Sequence, residues 1–193
     1  MALARPTPKT GAWTYEDLLA LPDDGTRYEI IEGALFEMTG PKPPHALVLM
    51  TLIEHLLPAV RAEGGELLAA PIDVFLPGAN PVQPDLLALL PGGGAKFGPN
   101  GIAGPPDFVA EVLSPSTRVH DTLTKRALYE RAGVREYWIV DPEARTIEIL
   151  ALADGAFRSR GVFAGEDGLA SALLPEASFA ATVIFARLDA IAG

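Results

Sequence analysis

An α/β (α+β) domain, one central mixed β-sheet flanked by helices with an N-terminal β-hairpin, is the fold class this sequence predicts. Three observations carry the prediction. Residues 107–116, DFVAEVLSPS, read as a central strand, because Phe108, Val109, Ala110, Val112 and Leu113 are apolar on both faces of the pleat. Residues 45–62 place Leu49, Leu52, Ile53, Leu56, Leu57 and Val60 along one helical face. REYWIV and TIEILA, at 135–140 and 146–151, flank the turn Asp141-Pro142-Glu143-Ala144 and make a hairpin. The element order is hairpin, helix, three strands, helix, two strands, which is one mixed sheet with helices against it.

The remaining elements follow from local chemistry. Residues 1–12 form an irregular lead-in. Thr14 caps a short helix to about Ala20, with Asp17 at the third helical position completing a capping box. Pro22-Asp23-Asp24-Gly25 is a turn. RYEIIEGALFEM, 27–38, folds as two strands about Glu32-Gly33. Thr39–Pro44 interrupts the pattern before the long helix, which Gly64-Gly65 ends. Residues 66–76 predict one strand that Pro71 makes bent or places at an edge, and 82–90 predict a second. PGGGAKFGPNGIAGPP, 91–106, predicts a mobile loop beside the site. Residues 117–132 are a helix closed by Gly133; 157–162 and 180–188 add short strands.

A chain of 193 residues fits one domain, 1–193, with its core at about 13–150 and extra strands over 151–193. The chain has no cysteine, so neither disulfides nor thiolate metal ligation are available. The N-terminus lacks a signal-peptide core and no uninterrupted apolar run reaches membrane-spanning length, so a cytoplasmic protein without a membrane partner is expected. A net charge of −10, with only 15 Lys and Arg, excludes a broad basic face for polyanions. A local site where a divalent cation reverses the sign stays open.

Chemistry converges on three residues. Glu111 interrupts the apolar run of the central strand, where a lone ionised carboxylate costs several kcal/mol unless paired, protonated or bound to a cation. Asp85 sits in Gln83-Pro84-Asp85, at a strand otherwise made of Leu and Ala. Lys125 shares a helical stripe with Leu128, Tyr129 and Ala132, all within about 60° at about 100° per residue, so it points at the sheet that holds both acids. Two carboxylates from neighbouring strands suit Mg²⁺, which takes one or two and fills its other positions with water and phosphate. Such an ion polarises a phosphoryl group and acidifies bound water. A lysine beside it orients that water or meets the transition-state charge.

The series Arg27–Gly33 (RYEIIEG), His45 at a helix start, Gln83-Pro84-Asp85, Glu111–Ser116 (EVLSPS), Lys125–Tyr129 (KRALY) and Gly133–Trp138 (GVREYW) strongly resembles the Uma-type endonucleases, over roughly 13–150. These are a branch of the PD-(D/E)XK nuclease superfamily with a restriction-endonuclease-like fold. The resemblance implies a single nuclease-like domain in which Pro84-Asp85 is the "PD" and Glu111 the "(D/E)". The usual lysine position is 113, which is Leu here, and the resemblance implies that the role has migrated to Lys125. Glu29 and His45 match further polar positions. Position 34 is Ala where relatives often carry an acid, and Glu32 is a substitute.

The resemblance therefore implies a Mg²⁺- or Mn²⁺-dependent endonuclease acting on DNA. Asp85, Glu111 and the Val112 carbonyl hold metal, Lys125 positions water, and Glu29 or His45 assists. A homodimer follows if both strands are cut. The competing reading is a nuclease-like binding or assembly module without turnover; a third is hydrolysis of a smaller phosphate ester. Each residue also has a plainer reading. Asp85 could be a turn acid, Glu111 and Lys125 a structural ion pair, His45 a helix cap, and Glu29 and Glu32 solvent-facing on their hairpin. Trp13, Tyr137 and Trp138 read as core, and Arg118 and Lys96 as solvated surface rather than phosphate contacts.

Overall fold

In the computed structural model, which describes residues 11–22, 25–31, 33–38, 40, 42–115 and 117–191, the apolar runs become strands and the periodic runs helices. α1 (Tyr15–Leu19) precedes the hairpin β1 (Arg27–Ile31) and β2 (Ala34–Met38), and α2 (Pro43–Ala62) follows. Next come β3 (Glu66–Ala69), β4 (Val74–Phe75), β5 (Leu86–Leu89), β6 (Lys96–Gly98), β7 (Gly101–Ala103) and β8 (Phe108–Val112). A π-helical segment, His120–Lys125, runs into α3 (Arg126–Ala132). β9 (Glu136–Asp141), β10 (Thr146–Ala153), β11 (Ala156–Ala164), α4 (Ala181–Phe185) and a 3₁₀ segment, Ala186–Ile191, complete the described chain.

The main sheet runs β11-β10-β9-β8-β5-β3, with β8 parallel to β9 and antiparallel to β5. Every residue of β8 is buried, as its two-sided apolar pattern requires. Alternation divides the core between the two faces. Phe108, Ala110, Val112, Trp138 and Val140 pack with Val48, Leu52, Leu56 and Val60 of α2. Val109, Leu113, Tyr137 and Ile139 pack with Tyr129 of α3 on the other side. Each fully buried large side chain contributes ~1.5–3 kcal/mol through removal from water. Among the described helices, α2 is long and apolar enough to cross a membrane by length and composition alone, yet this stripe lies on the sheet.

Local signals act as their chemistry dictates. Thr14 and Asp17 form the reciprocal capping box of α1. Gly133 closes α3 at φ 90°, donating to the carbonyls of Tyr129 and Glu130. Several expectations are corrected. Residues 66–76 form two short strands in different sheets, β3 in the main sheet and β4 in a small one. The predicted mobile loop at 91–106 contains the paired strands β6 and β7, which add to β4. Residues 180–188 are helical, because Ala181, Ile184 and Phe185 face the same core as α2, so helical spacing outweighs their strand propensity. Trp13 is half-buried rather than core, its N–H donating to the Gly33 carbonyl at 2.8 Å. Expectations for residues 1–10, Asp23-Asp24, Glu32, Thr39, Pro41 and Ser116 lie outside the described residues.

Asp141, at the end of β9, shows how a turn acid behaves here. Arg118 grips it through two guanidinium hydrogen bonds of 2.6 and 3.0 Å, and the N–H groups of Glu143 and Ala144 donate to it as well. Burial pushes its carboxyl up, but Arg118 and the two amides more than reverse this and hold it below the usual range. A lowered carboxylate stabilises the fold above its unfolded pKa of ~3.9, and the contribution drains away as pH falls through the folded value. Asp141→Asn is expected to cost about 1–2 kcal/mol at pH 7, the Arg118 side being half-exposed. Urea unfolding of both proteins at pH 7 and at pH 2–3 checks this; a difference that does not shrink in acid contradicts it.

Candidate active site

Strand register brings the two predicted acids together. β5 pairs with β8 as Leu86↔Ala110 and Leu87↔Val109, so one further step sets Asp85 opposite Glu111. Opposed residues of an antiparallel pair project to the same face. The match is pinned: the N–H of Val112 donates to Asp85 Oδ2 at 2.8 Å, and His45 Nε2, from the first turn of α2, contacts the same oxygen at 3.0 Å. Pro84 delivers Asp85 to this place by ending the strand pairing just before it.

Lys125 arrives from the π-helical segment and is buried. Its Nζ lies 3.1 Å from Glu111 Oε1, 3.4 Å from Glu29 Oε1 and 3.5 Å from Asp121 Oδ1. The hydroxyl of Tyr129, one turn further on, donates to Glu111 Oε1 at 2.8 Å. Glu29, a candidate to assist whose plainer reading was solvent-facing, is buried, accepting from the Gln83 N–H at 3.3 Å. The hairpin is covered on both sides at this point, since Ile30, on its opposite face, is also buried.

Asp121 was not among the expected residues. It lies in VHDTLTK, a mostly polar run whose Val119 and Leu123 are exposed, yet its spacing of four from Lys125 puts both on one helical face. Its Oδ1 is buried and has no hydrogen bond, only the lysine's charge. Arg118 is spent on Asp141 and Glu143, and Lys96 lies exposed on β6, so neither stands in this cluster.

Acids outnumber cations here, and their protonation reflects it. Burial pushes the Glu111 carboxyl well up; Lys125 opposes, and the charges of Asp121, Asp85 and Glu29 add to the rise. Asp121 is raised by burial too, against the pull of Lys125 and a Thr117 hydrogen bond. Burial alone would lower Lys125, but Glu111, Glu29 and Asp121 reverse that and hold it well above its usual value. For His45, burial pulls down while the hydrogen bond and charge of Asp85 carry it up. Exposure rises towards the His45–Asp85 side, where the side chains are 14% and 21% exposed, against 5% and 3% for Lys125 and Glu111.

A divalent cation fits this donor set in a specific way. Among the described residues no three His, Cys, Asp or Glu side chains converge into a protein-only metal cage. Asp85 and Glu111 each use one oxygen on the donors named above, and no further hydrogen bond reaches the other oxygen among the described residues. Two carboxylates with spare oxygens and an excess of negative charge match Mg²⁺, which completes its shell with water and phosphate.

Comparison with known proteins agrees with the fold. A crystal structure of "a putative nuclease belonging to DUF820" from Anabaena variabilis ATCC 29413 superposes with a TM-score of 0.72 at 19% identity, covering 91% of this chain and 99% of that one. No curated protein matches the chain. The Uma2 family, described as "Putative restriction endonuclease", matches residues 15–183. Central sheet, helices and hairpin are those of this nuclease-like fold, and the chain belongs to the Uma2 family.

Proposed function

We propose that this protein is a Mg²⁺- or Mn²⁺-dependent endodeoxyribonuclease that hydrolyses DNA phosphodiester bonds at the Asp85–Glu111–Lys125 cluster. The observation that carries the reading is a buried ammonium 3.1 Å from Glu111, within a group of carboxylates it cannot neutralise alone, beside an Asp85 pinned to the same strand end. Membership of a family described as "Putative restriction endonuclease" supports the choice of substrate. Asp85, Glu111 and the Val112 carbonyl would hold the cation, which when bound polarises the phosphoryl group and supplies hydroxide near neutral pH.

The chain's own residues do the rest. Lys125 orients the attacking water and meets the charge that grows on the phosphoryl oxygens. Glu29 and Asp121 fix the lysine from two sides, and Tyr129 sets the carboxyl plane of Glu111. His45 fixes Asp85. His45→Ala is expected to lower cation affinity or cutting ~10–100-fold without unfolding the protein, the usual effect of losing a group that orients a ligand. Calorimetric Mn²⁺ titration and a nicking assay measure this, and unchanged values for both contradict the assignment.

The decisive assay is nicking of supercoiled plasmid with and without Mg²⁺ or Mn²⁺, by wild type, Asp85→Asn and Glu111→Gln. Cutting by the wild type only, and only with metal, is expected. Equal cutting by all three rejects the site. Cutting both strands takes two sites, so two copies of the chain act together if breaks are double-stranded. The net charge of −10 favours a second reading, a nuclease-like binding module without turnover. Such a module has no requirement for metal, so absence of Mn²⁺ heat together with absence of nicking would select it.

A further inference from the structure

A cavity of about 550 Å³ is lined in part by Lys125, but by none of His45, Asp85 and Glu111. Its size is that of a small-molecule site, which typically runs ~300–1,000 Å³. The walls are mixed: Ile30 from β1, Val82 before β5 and Leu128 from α3 supply aliphatic patches, and polar groups make up much of the rest. Asn80 donates one amide hydrogen to the Trp13 carbonyl at 3.3 Å, and among the described residues its side-chain oxygen has no partner. Thr124 and Lys125 form the floor, and the exposed Arg131 stands at the rim.

These features discriminate between ligand classes. A free anion is disfavoured at the floor, since Lys125 is already engaged by Glu111, Glu29 and Asp121. Mixed walls, with aliphatic patches beside an amide and a hydroxyl, suit a flat, uncharged group that both packs and hydrogen-bonds. The rim arginine suits an anionic group attached to it that stays outside. A nucleobase carrying its phosphate has this form. The charge balance adds a reason: with 25 Asp and Glu against 15 Lys and Arg, the chain has little grip on a duplex backbone, so affinity must come from the base itself.

We propose that the cavity receives a single unstacked nucleobase of the nucleic-acid substrate, so that single-stranded or locally unpaired DNA is cut in preference to intact duplex. The proposal rests on the nuclease reading for its substrate, but its binding step stands apart from turnover. Lys125 joins the two, since it lines the cavity and its ammonium meets Glu111.

Ala79→Trp tests it, because Ala79 is exposed at the cavity's mouth and its replacement fills the space without touching the core. Binding of deoxyadenosine and of inorganic phosphate is followed by titration calorimetry without metal. Cutting of a single-stranded and a duplex oligonucleotide is followed with Mn²⁺. Deoxyadenosine is expected to saturate the wild type and Glu111→Gln alike, phosphate is not expected to compete, and Ala79→Trp should weaken nucleoside binding at least ~10-fold. Cutting should favour the single strand, and Ala79→Trp should raise KM for it. No saturation by deoxyadenosine, displacement by phosphate, or unchanged binding in Ala79→Trp overturns the proposal. If those failures accompany metal-dependent cutting, the cavity is refuted and the nuclease reading survives. Nucleoside binding lost in Ala79→Trp, without any cutting by the wild type, supports the cavity and removes the nuclease reading.

Discussion

Lys125→Met is expected to destabilise the fold by about 3–5 kcal/mol, whereas Glu111→Gln leaves stability within about 1 kcal/mol of wild type or raises it. The asymmetry follows from the charge count. Three carboxylates lie 3.1–3.5 Å from the lysine Nζ, and all three are buried, so removing the ammonium strands them without a counter-charge. Glu111 is one of several acids and is already driven towards its neutral form, by burial first and then by its acidic neighbours. Glutamine keeps the shape and still accepts from Tyr129 and Lys125. The double variant should therefore be more stable than Lys125→Met alone, since it removes one stranded acid. Denaturant midpoints for the four proteins measure this. Equal losses in the two single variants would contradict the account. Because Glu111→Gln is expected to fold, it is the variant in which lost nicking reports on chemistry rather than on unfolding.

Divalent cation is expected to raise the melting temperature of the wild type. A ligand at a hundred times its Kd stabilises by about 2.7 kcal/mol, and for a chain of this size that corresponds to roughly 5–10 °C. The gain has a specific origin, because the cation supplies the charge that one lysine cannot. Asp85→Asn and Glu111→Gln should each abolish the shift. Glu63→Gln, exposed at the end of α2, should keep it. A thermal scan with and without Mn²⁺ decides the matter; shifts of equal size in all four proteins would mean that the ion binds elsewhere.

Asp85, Glu111 and Lys125 were legible in the amino-acid sequence because each breaks an apolar pattern, and a charge in such a place needs a partner. Asp121 breaks no pattern; only its spacing from Lys125 marks it, and spacing without an apolar background is common on solvated helices. Glu29 entered the candidate set through the resemblance; its plainer, solvent-facing reading fails because a two-stranded hairpin alone has one wet face, and this one is packed on both. The strands β6 and β7 were hidden by the glycines and prolines around them, which signal turns wherever they occur. They form because Lys96–Gly98 and Gly101–Ala103 pair across Pro99-Asn100 and extend the sheet begun by β4. Within 180–188, read as a short strand, Ala181–Phe185 is helical because its apolar residues face the same core as α2.

The most direct measurement is anomalous diffraction from a crystal soaked in Mn²⁺. A peak between the carboxylates of Asp85 and Glu111, absent from a Glu111→Gln crystal treated in the same way, is the result expected. Manganese bound only at other carboxylates, or no ordered ion while the soaked crystals still diffract well, would contradict the claim that these two acids share a cation.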